Sequence, residues 1–286
     1  MKKYVYFDYN IVSYLRKDEF HELTEAFENL DKKSHIVVFS PAHLEDIAVT
    51  EMQDNHRSDI AREEVGFLEK ICHHNGLRPT RRHEPVEFFD ESPFDCYKRV
   101  LKYYNRNKIA EYIDKQVLAE ANANNTPETS PKYMANIPVD TVLSEHKAEI
   151  ISDLAKEFKL SKNETRKILQ WKFKQFKKNF ALLEGYVNLA ANCLEYIGFK
   201  REKEENYRSR LHDVSHIIYA AHTNIFVTDD KKLNLKTKAI YSSIDVPTNV
   251  MDRKGFINYV LGQATVGWAL VAHAFYALRQ PEIAWA

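Results

Sequence analysis

The sequence predicts an α/β protein, a parallel sheet covered by helices, with a large helical insertion. Three observations carry this. Lys3–Phe7, Ile36–Phe39 and Ile225–Val227 are short runs of β-branched and aromatic residues bounded by polar ones, the mark of buried strands. Helical spacing of apolar residues follows or precedes each run, and strands alternating with helices imply a parallel sheet. Glycine is scarce, seven in 286 residues, and long amphipathic stretches fill the remainder, so helix dominates.

Along the chain, Lys3–Phe7 ends at Asp8-Tyr9-Asn10 and helical spacing continues through Ile11, Leu15, Leu23, Phe27 and Leu30. Ile36–Phe39 closes at Ser40-Pro41, an N-cap followed by proline at the first helical position. The helix behind it runs through Leu44 and Ile47 toward Cys72. Residues 76–95, rich in proline and charge, read as a connection, and Tyr97–Ala123 as helix. Residues 122–138 are the clearest loop. Two or three helices fit 140–200, with Asp140 or Thr141 and Ser161 as N-caps; Ser161-Lys-Asn-Glu164 has the capping-box pattern. Leu211–Ala221 is an amphipathic helix leading into Ile225–Val227. Lys238–Tyr241 reads as a short strand, Asp245–Val250 as an extended piece, and helix returns from about Asp252 to Leu278. The expected organisation is a discontinuous core of residues 1–75 and 185–250, a helical insertion of 76–184, and a C-terminal helix within 251–286 that packs on the core or on a partner.

The 41 basic and 41 acidic residues cancel, so composition neither demands nor excludes nucleic acid. Cys72, Cys96 and Cys193 form no CxxC pair, as expected of reduced thiols in a cytoplasmic protein. The N-terminus lacks the apolar stretch of a secretory signal. Ala264–Leu278 is shorter than the roughly 20 residues a membrane span needs, so no membrane association is expected.

The chemistry lies in the acids. Each strand delivers carboxylates near its C-terminal end: Asp8 after the first, Glu45 and Asp46 after the second, Asp229 and Asp230 after Ile225–Val227. Asp213 opens the helix before that last strand. In open α/β sheets the site lies beyond the carboxyl ends of the strands. Taken singly, an acid after a strand is a helix cap or a solvated loop residue. Taken together, converging carboxylates repel one another unless a cation compensates, and hard oxygen donors suit Mg²⁺ or Mn²⁺. Such ions activate water and hold a phosphodiester.

Three segments resemble the PIN-domain nucleases. Tyr4-Val-Tyr-Phe-Asp8-Tyr-Asn10 is similar to that family's opening strand ending in Asp-x-Asn. Ser40-Pro-Ala-His-Leu-Glu-Asp46 is similar to its Ser followed six residues later by an acid. Leu211 to Asp230 is the closest, with Asp213 opening a helix and a following strand ending in Thr228-Asp-Asp230. The resemblance covers roughly 1–60 and 185–250. It implies a PIN-like Mg²⁺- or Mn²⁺-dependent endoribonuclease, toxin-like or defence-associated, with Asp8, Asp46, Asp213 and Asp230 as catalytic metal ligands and Asn10 and Thr228 as polar supports. Glu45 competes with Asp46, because the family most often has glutamate there, and Asp229 competes with Asp230. The alternatives are a non-catalytic PIN-like module binding RNA or protein, and a structure-selective DNA nuclease.

His212-Asp213 also invites a rival reading as a histidine–aspartate phosphohydrolase, whose further ligands His73, His74 or His83 do not fit by spacing. His216 and His222 read as core or surface residues. Residues 156–178 hold nine Lys/Arg and two acids, with Trp171, Phe173 and Phe176 interleaved. Lys167, Lys172, Lys174, Lys177 and Lys178 are therefore RNA-binding candidates with stacking aromatics; the competing reading is a solvated basic face over core aromatics. Arg208 and Arg210 flank the site as candidate phosphate contacts, and Arg78, Arg81 and Arg82 form a smaller solvated group. The aromatic C-terminal helix leaves room for a homodimer or an inhibitory partner protein.

Overall fold

A computed structural model describes residues 2–53, 58–104, 108–124, 134 and 136–262. Strand β1 (Lys3–Phe7) is followed by helices α1 (Tyr9–Lys17) and α2 (His21–Glu28), then by β2 (His35–Val38), α3 (Pro41–Gln53) and α4 (Ser58–Cys72). The middle of the chain contributes β3 (Asn75–Pro79), β4 (Val86–Asp90), α5 (Pro93–Tyr104), α6 (Lys108–Ala123), α7 (Lys147–Glu157), α8 (Lys162–Leu169) and the single turn α9 (Phe173–Phe176). Then come α10 (Phe180–Tyr196), α11 (Tyr207–Ala220), β5 (Ile225–Val227), α12 (Lys231–Ile244) and β6 (Asn249–Met251), with helix again over 253–262.

The central sheet has the order β2-β1-β5-β6, and every pairing is parallel. The predicted fold class, a parallel sheet flanked by helices, is what the chain forms. Strand side chains alternate between two helical layers, as the two-residue period requires. Tyr6, Val38, Phe226 and Val250 face a cluster containing Leu154, Leu183, Tyr186, Ile217 and Ile240. Val5, Phe7, Val37, Ile225 and Val227 face Ile11, Leu23, Leu44, Leu68 and Phe256. Burial on both faces explains why the strands read as unbroken apolar runs.

Residues 76–95, expected as a connection, hold the antiparallel hairpin β3–β4, with Leu77 paired to Phe88. The hairpin extends the sheet edge: Leu77 N donates to Phe39 O at 2.8 Å and Phe39 N to Asn75 O at 3.0 Å. Lys238–Tyr241, expected as a strand, lies inside α12. The Asp230 cap at its start and a buried stripe of Leu233, Thr237 and Ile240 make this run helical. The strand of this region is β6. The middle segment packs into the main core, because Leu143, Ile151 and Phe176 share a cluster with Tyr6 and Phe226.

Among the described residues no helix is long and apolar enough to cross a membrane; Ala264–Leu278 lies outside them. Cys72, Cys96 and Cys193 are free.

Candidate functional site

The site is built where β1, β2 and β5 end. Asp8 N donates to Val227 O at 2.9 Å, which carries the ladder one residue past Phe7. Asp8 occupies the N-cap position of α1, yet its side chain makes no capping hydrogen bond. Its Oδ2 instead accepts from Thr228 Oγ1 at 2.9 Å and Asn10 Nδ2 at 3.3 Å. Asp8 is thus a buried aspartate that begins the helix through its backbone oxygen while its side chain is held by two other donors.

Asp46 lies one turn into α3, beside Asp8, and His216 of α11 joins them. His216 Nε2 is 2.7 Å from Asp46 Oδ2 and 3.8 Å from Asp8 Oδ1. Its Nδ1 is 2.8 Å from the Tyr6 hydroxyl, which is 2.6 Å from Ser40 Oγ. Burial opposes a charge on His216, but the Asp46 hydrogen bond and the charges of Asp46, Asp8 and Asp213 push it up to about 9. Charged at neutral pH, it donates from both nitrogens, and Tyr6 passes its own proton toward Ser40. Burial likewise opposes ionisation of Asp46, yet the His216 hydrogen bond and nearby imidazoles hold it below the usual carboxylate range. Asp8 goes the other way, raised by burial against the pull of His216. Buried His43 accepts from Ser40 N at 3.2 Å on Nδ1 and donates from Nε2 to Phe7 O at 2.7 Å. Burial and the neighbouring His216 push it down to about 3, so it is the neutral brace of the loop.

Asp213, half-buried on α11, is raised well above the carboxylate range by burial and by the charges of Asp8 and Asp230, against the relief of Lys236 and His216. Asp8, Asp46, Asp213 and Asp230, gathered from positions 8 to 230, thus act on one another electrostatically. Asp230 also caps α12: its Oδ1 accepts from Lys232 N at 2.7 Å and Leu233 N at 2.9 Å.

The competing acids separate. Asp229 is turned to the base of helix 253–262, accepting from Arg253 N at 2.9 Å with Arg253 Nε 3.3 Å from its other oxygen. Glu45, beside Asp46, is pushed up to about 7 by burial and by Asp46; its Oε2 is 4.0 Å from His212 Nδ1. His212 Nδ1 is in turn 3.7 Å from Asp46 Oδ1.

Behind Asp213 lies a buried ion network. Lys236 Nζ is 2.6 Å from Glu195 and 3.1 Å from Glu202. Arg210 Nε is 3.3 Å from Glu195, and its other nitrogens meet Asp114 and Asn192. Arg210, expected as a phosphate contact, is 3% exposed: its donors are spent inside the fold because Glu195 and Asp114 need a counter-charge there. The Arg208 side chain lies outside the described residues.

Lys167, Lys172, Lys174, Lys177 and Lys178 are exposed. Their aromatic neighbours are not stacking platforms: Phe173 and Phe176 are buried and Trp171 packs on the same core cluster, edge-on to Phe176. Lys172 Nζ is 2.7 Å from Asp245, at the C-terminal end of α12. The acidic cluster lies at that helix's N-terminal end.

His216, expected as a core or surface residue, is buried as a core residue yet pairs with Asp46, and His212, weighed only in the rival phosphohydrolase reading, lies beside the same acid. Their signal was spacing: four residues apart on one helix, they share a face, next to an acid already singled out.

Among the described residues no group of three or more His, Cys, Asp or Glu side chains is already arranged to hold a metal ion. Asp8, Asp46, Asp213 and Asp230 are nonetheless all carboxylate oxygen donors of the kind a hard divalent cation takes. Burial and the charges of Asp8 and Asp230 raise the proton affinity of Asp213, a repulsion a divalent cation would relieve. No known family, curated protein or solved structure matches the chain.

Proposed function

We propose that the chain is a PIN-like, divalent-metal-dependent nuclease that hydrolyses RNA phosphodiester bonds. The observation that supports this most is the position of His216, which joins Asp8 to Asp46 at 3.8 and 2.7 Å, with the charges of Asp8 and Asp230 acting on Asp213 beside them. Asp8, Asp46, Asp213 and Asp230 would hold Mg²⁺ or Mn²⁺, which when bound supplies charge for a phosphate and lowers the pKa of a water.

The chain's own residues do the remainder. Thr228 and Asn10 fix one oxygen of Asp8 and leave the other toward the cluster. His216, braced by Tyr6 and Ser40, orients Asp46. Glu45, pushed up to about 7, exchanges a proton near neutrality and would be suited to accept one from an attacking water. Lys236 tempers the charge behind Asp213.

The test incubates purified protein with single-stranded RNA and DNA in Mn²⁺, Mg²⁺ or EDTA. RNA cleavage in Mn²⁺ or Mg²⁺, abolished by EDTA and reduced at least about a hundredfold by Asp8→Asn or Asp213→Asn, is expected. Cleavage untouched by both substitutions would sink the assignment.

One observation favours a second reading. His216 already supplies a positive partner to Asp46, which suits a module that binds RNA or a protein without a metal. Tight RNA binding with no cleavage in either metal would select that reading.

A further inference from the structure

We propose that Arg81, Arg82, Lys174, Lys177 and Lys178 form one surface that binds the phosphate backbone of a single-stranded nucleic acid, at the end of the sheet opposite the acidic cluster. Two basic groups about ninety residues apart in sequence meet there. Phe180 N donates to Glu84 O at 3.1 Å and Ala181 N to Arg82 O at 2.9 Å, docking the hairpin turn of β3–β4 against the start of α10. Arg81 and Arg82 therefore adjoin the turn that carries Lys177 and Lys178. All five side chains are exposed. Residues 78–83 and 171–183 contain no acid; Glu84 follows the first stretch, and Glu184, 3.7 Å from Arg82, follows the second. In a chain of zero net charge this is a local concentration of cations.

Its position follows from the neighbours. Phe173 stacks edge-on against His222, which precedes β5, at 5.5 Å. Lys172 pairs with Asp245 at the C-cap of α12. The acidic cluster includes Asp230, the N-cap of that helix of 14 residues. At 1.5 Å per residue the two ends are about 20 Å apart, so one strand must run several nucleotides to reach both. Since Phe173 and Phe176 are in the core, the surface offers charge without base stacking, so binding is strongly salt-dependent and indifferent to sequence.

The idea deepens the nuclease reading by adding a length requirement, but binding itself is measurable without cleavage. The probe is fluorescently labelled single-stranded RNA of 20 nucleotides or of 5, titrated in EDTA with otherwise unmodified protein and with the exposed-site variant R81Q/K174Q/K177Q/K178Q, whose folding is checked by thermal unfolding. The variant is expected to bind the 20-mer about tenfold or more weakly at low salt, with a salt slope smaller by about 3 for four lost phosphate contacts, and to bind the 5-mer more weakly as well. In Mn²⁺ the same variant should raise KM for the 20-mer and leave turnover of the 5-mer unchanged. Equal affinity and equal salt slope for the two proteins would overturn the proposal. So would a surface that captures phosphatidylserine vesicles but not RNA. Variant-sensitive RNA binding with no cleavage in any metal would keep this surface and remove the nuclease; metal-dependent cleavage with no effect of the variant would do the reverse.

Discussion

His216 does at the level of one residue what a bound cation would do for the cluster: it holds Asp46 ionised and turns toward Asp8. Its folded value is raised, from 6.5 to about 9. The stability it contributes is therefore complete below about pH 6.5 and lost as pH rises toward 9. Unfolding by urea in EDTA should show about 3 kcal/mol falling away across that window, and His216→Ala should remove the slope. His216→Ala should also destabilise the metal-free protein by about 3–5 kcal/mol, because Asp46 is left buried without its partner; a loss under 1 kcal/mol would contradict the pairing. Asp8 could be read from the sequence because it follows an unmistakable strand. His216 could not, because its role depends on Tyr6, Asp8 and Asp46, more than 150 residues away.

At the level of elements, α12 separates two roles that fall on adjacent aspartates. Asp230 caps the helix and loads Asp213, whereas Asp229 anchors Arg253. Asp230→Asn keeps a capping side chain and removes the charge. It should leave stability within about 0.5 kcal/mol of the parent while lowering the proposed nuclease activity, whereas Asp230→Ala should cost about 1 kcal/mol as well. Asp229→Asn should retain activity. Denaturation midpoints beside cleavage rates distinguish the three. The register Thr228-Asp-Asp was visible in the sequence, but the choice between the acids was not, since it is made by Arg253 from another element. The misreading of Lys238–Tyr241 has the same origin. A four-residue run of mixed apolar character suits strand or helix, and the Asp230 cap with the buried stripe beyond it decided for helix. Ser161 was legible because its capping box is local: Ser161 Oγ accepts from Glu164 N at 3.3 Å, and Ser161 N donates to the Glu164 carboxylate at 2.8 Å.

Across the whole molecule, the middle segment is tied to the site by buried charge. Arg210 of α11 meets Asp114 of α6 and Glu195 of α10, and Lys236 of α12 meets Glu195 and Glu202. Removing one member leaves the others buried and uncompensated, so Arg210→Ala should cost about 3–5 kcal/mol by chemical denaturation. Once folded at low temperature, the variant should bind 20-mer RNA as the parent does, because Arg210 faces no solvent. The parallel sheet, with Asp8 directly beyond the end of its first strand, was legible from strand order. The network was not, because Arg210 and Asp114 are far apart in sequence and only packing turns the arginine inward.

The central claim, that Asp8, Asp46, Asp213 and Asp230 together form a divalent cation site, is tested most directly by titrating Mn²⁺ into the protein and following free Mn²⁺ by electron paramagnetic resonance, with Asp8→Asn and Asp213→Asn in parallel. The account predicts saturable binding to the parent, and loss of that binding in both variants while their circular dichroism is unchanged. No saturable binding to the parent, or equal binding by all three proteins, would contradict it.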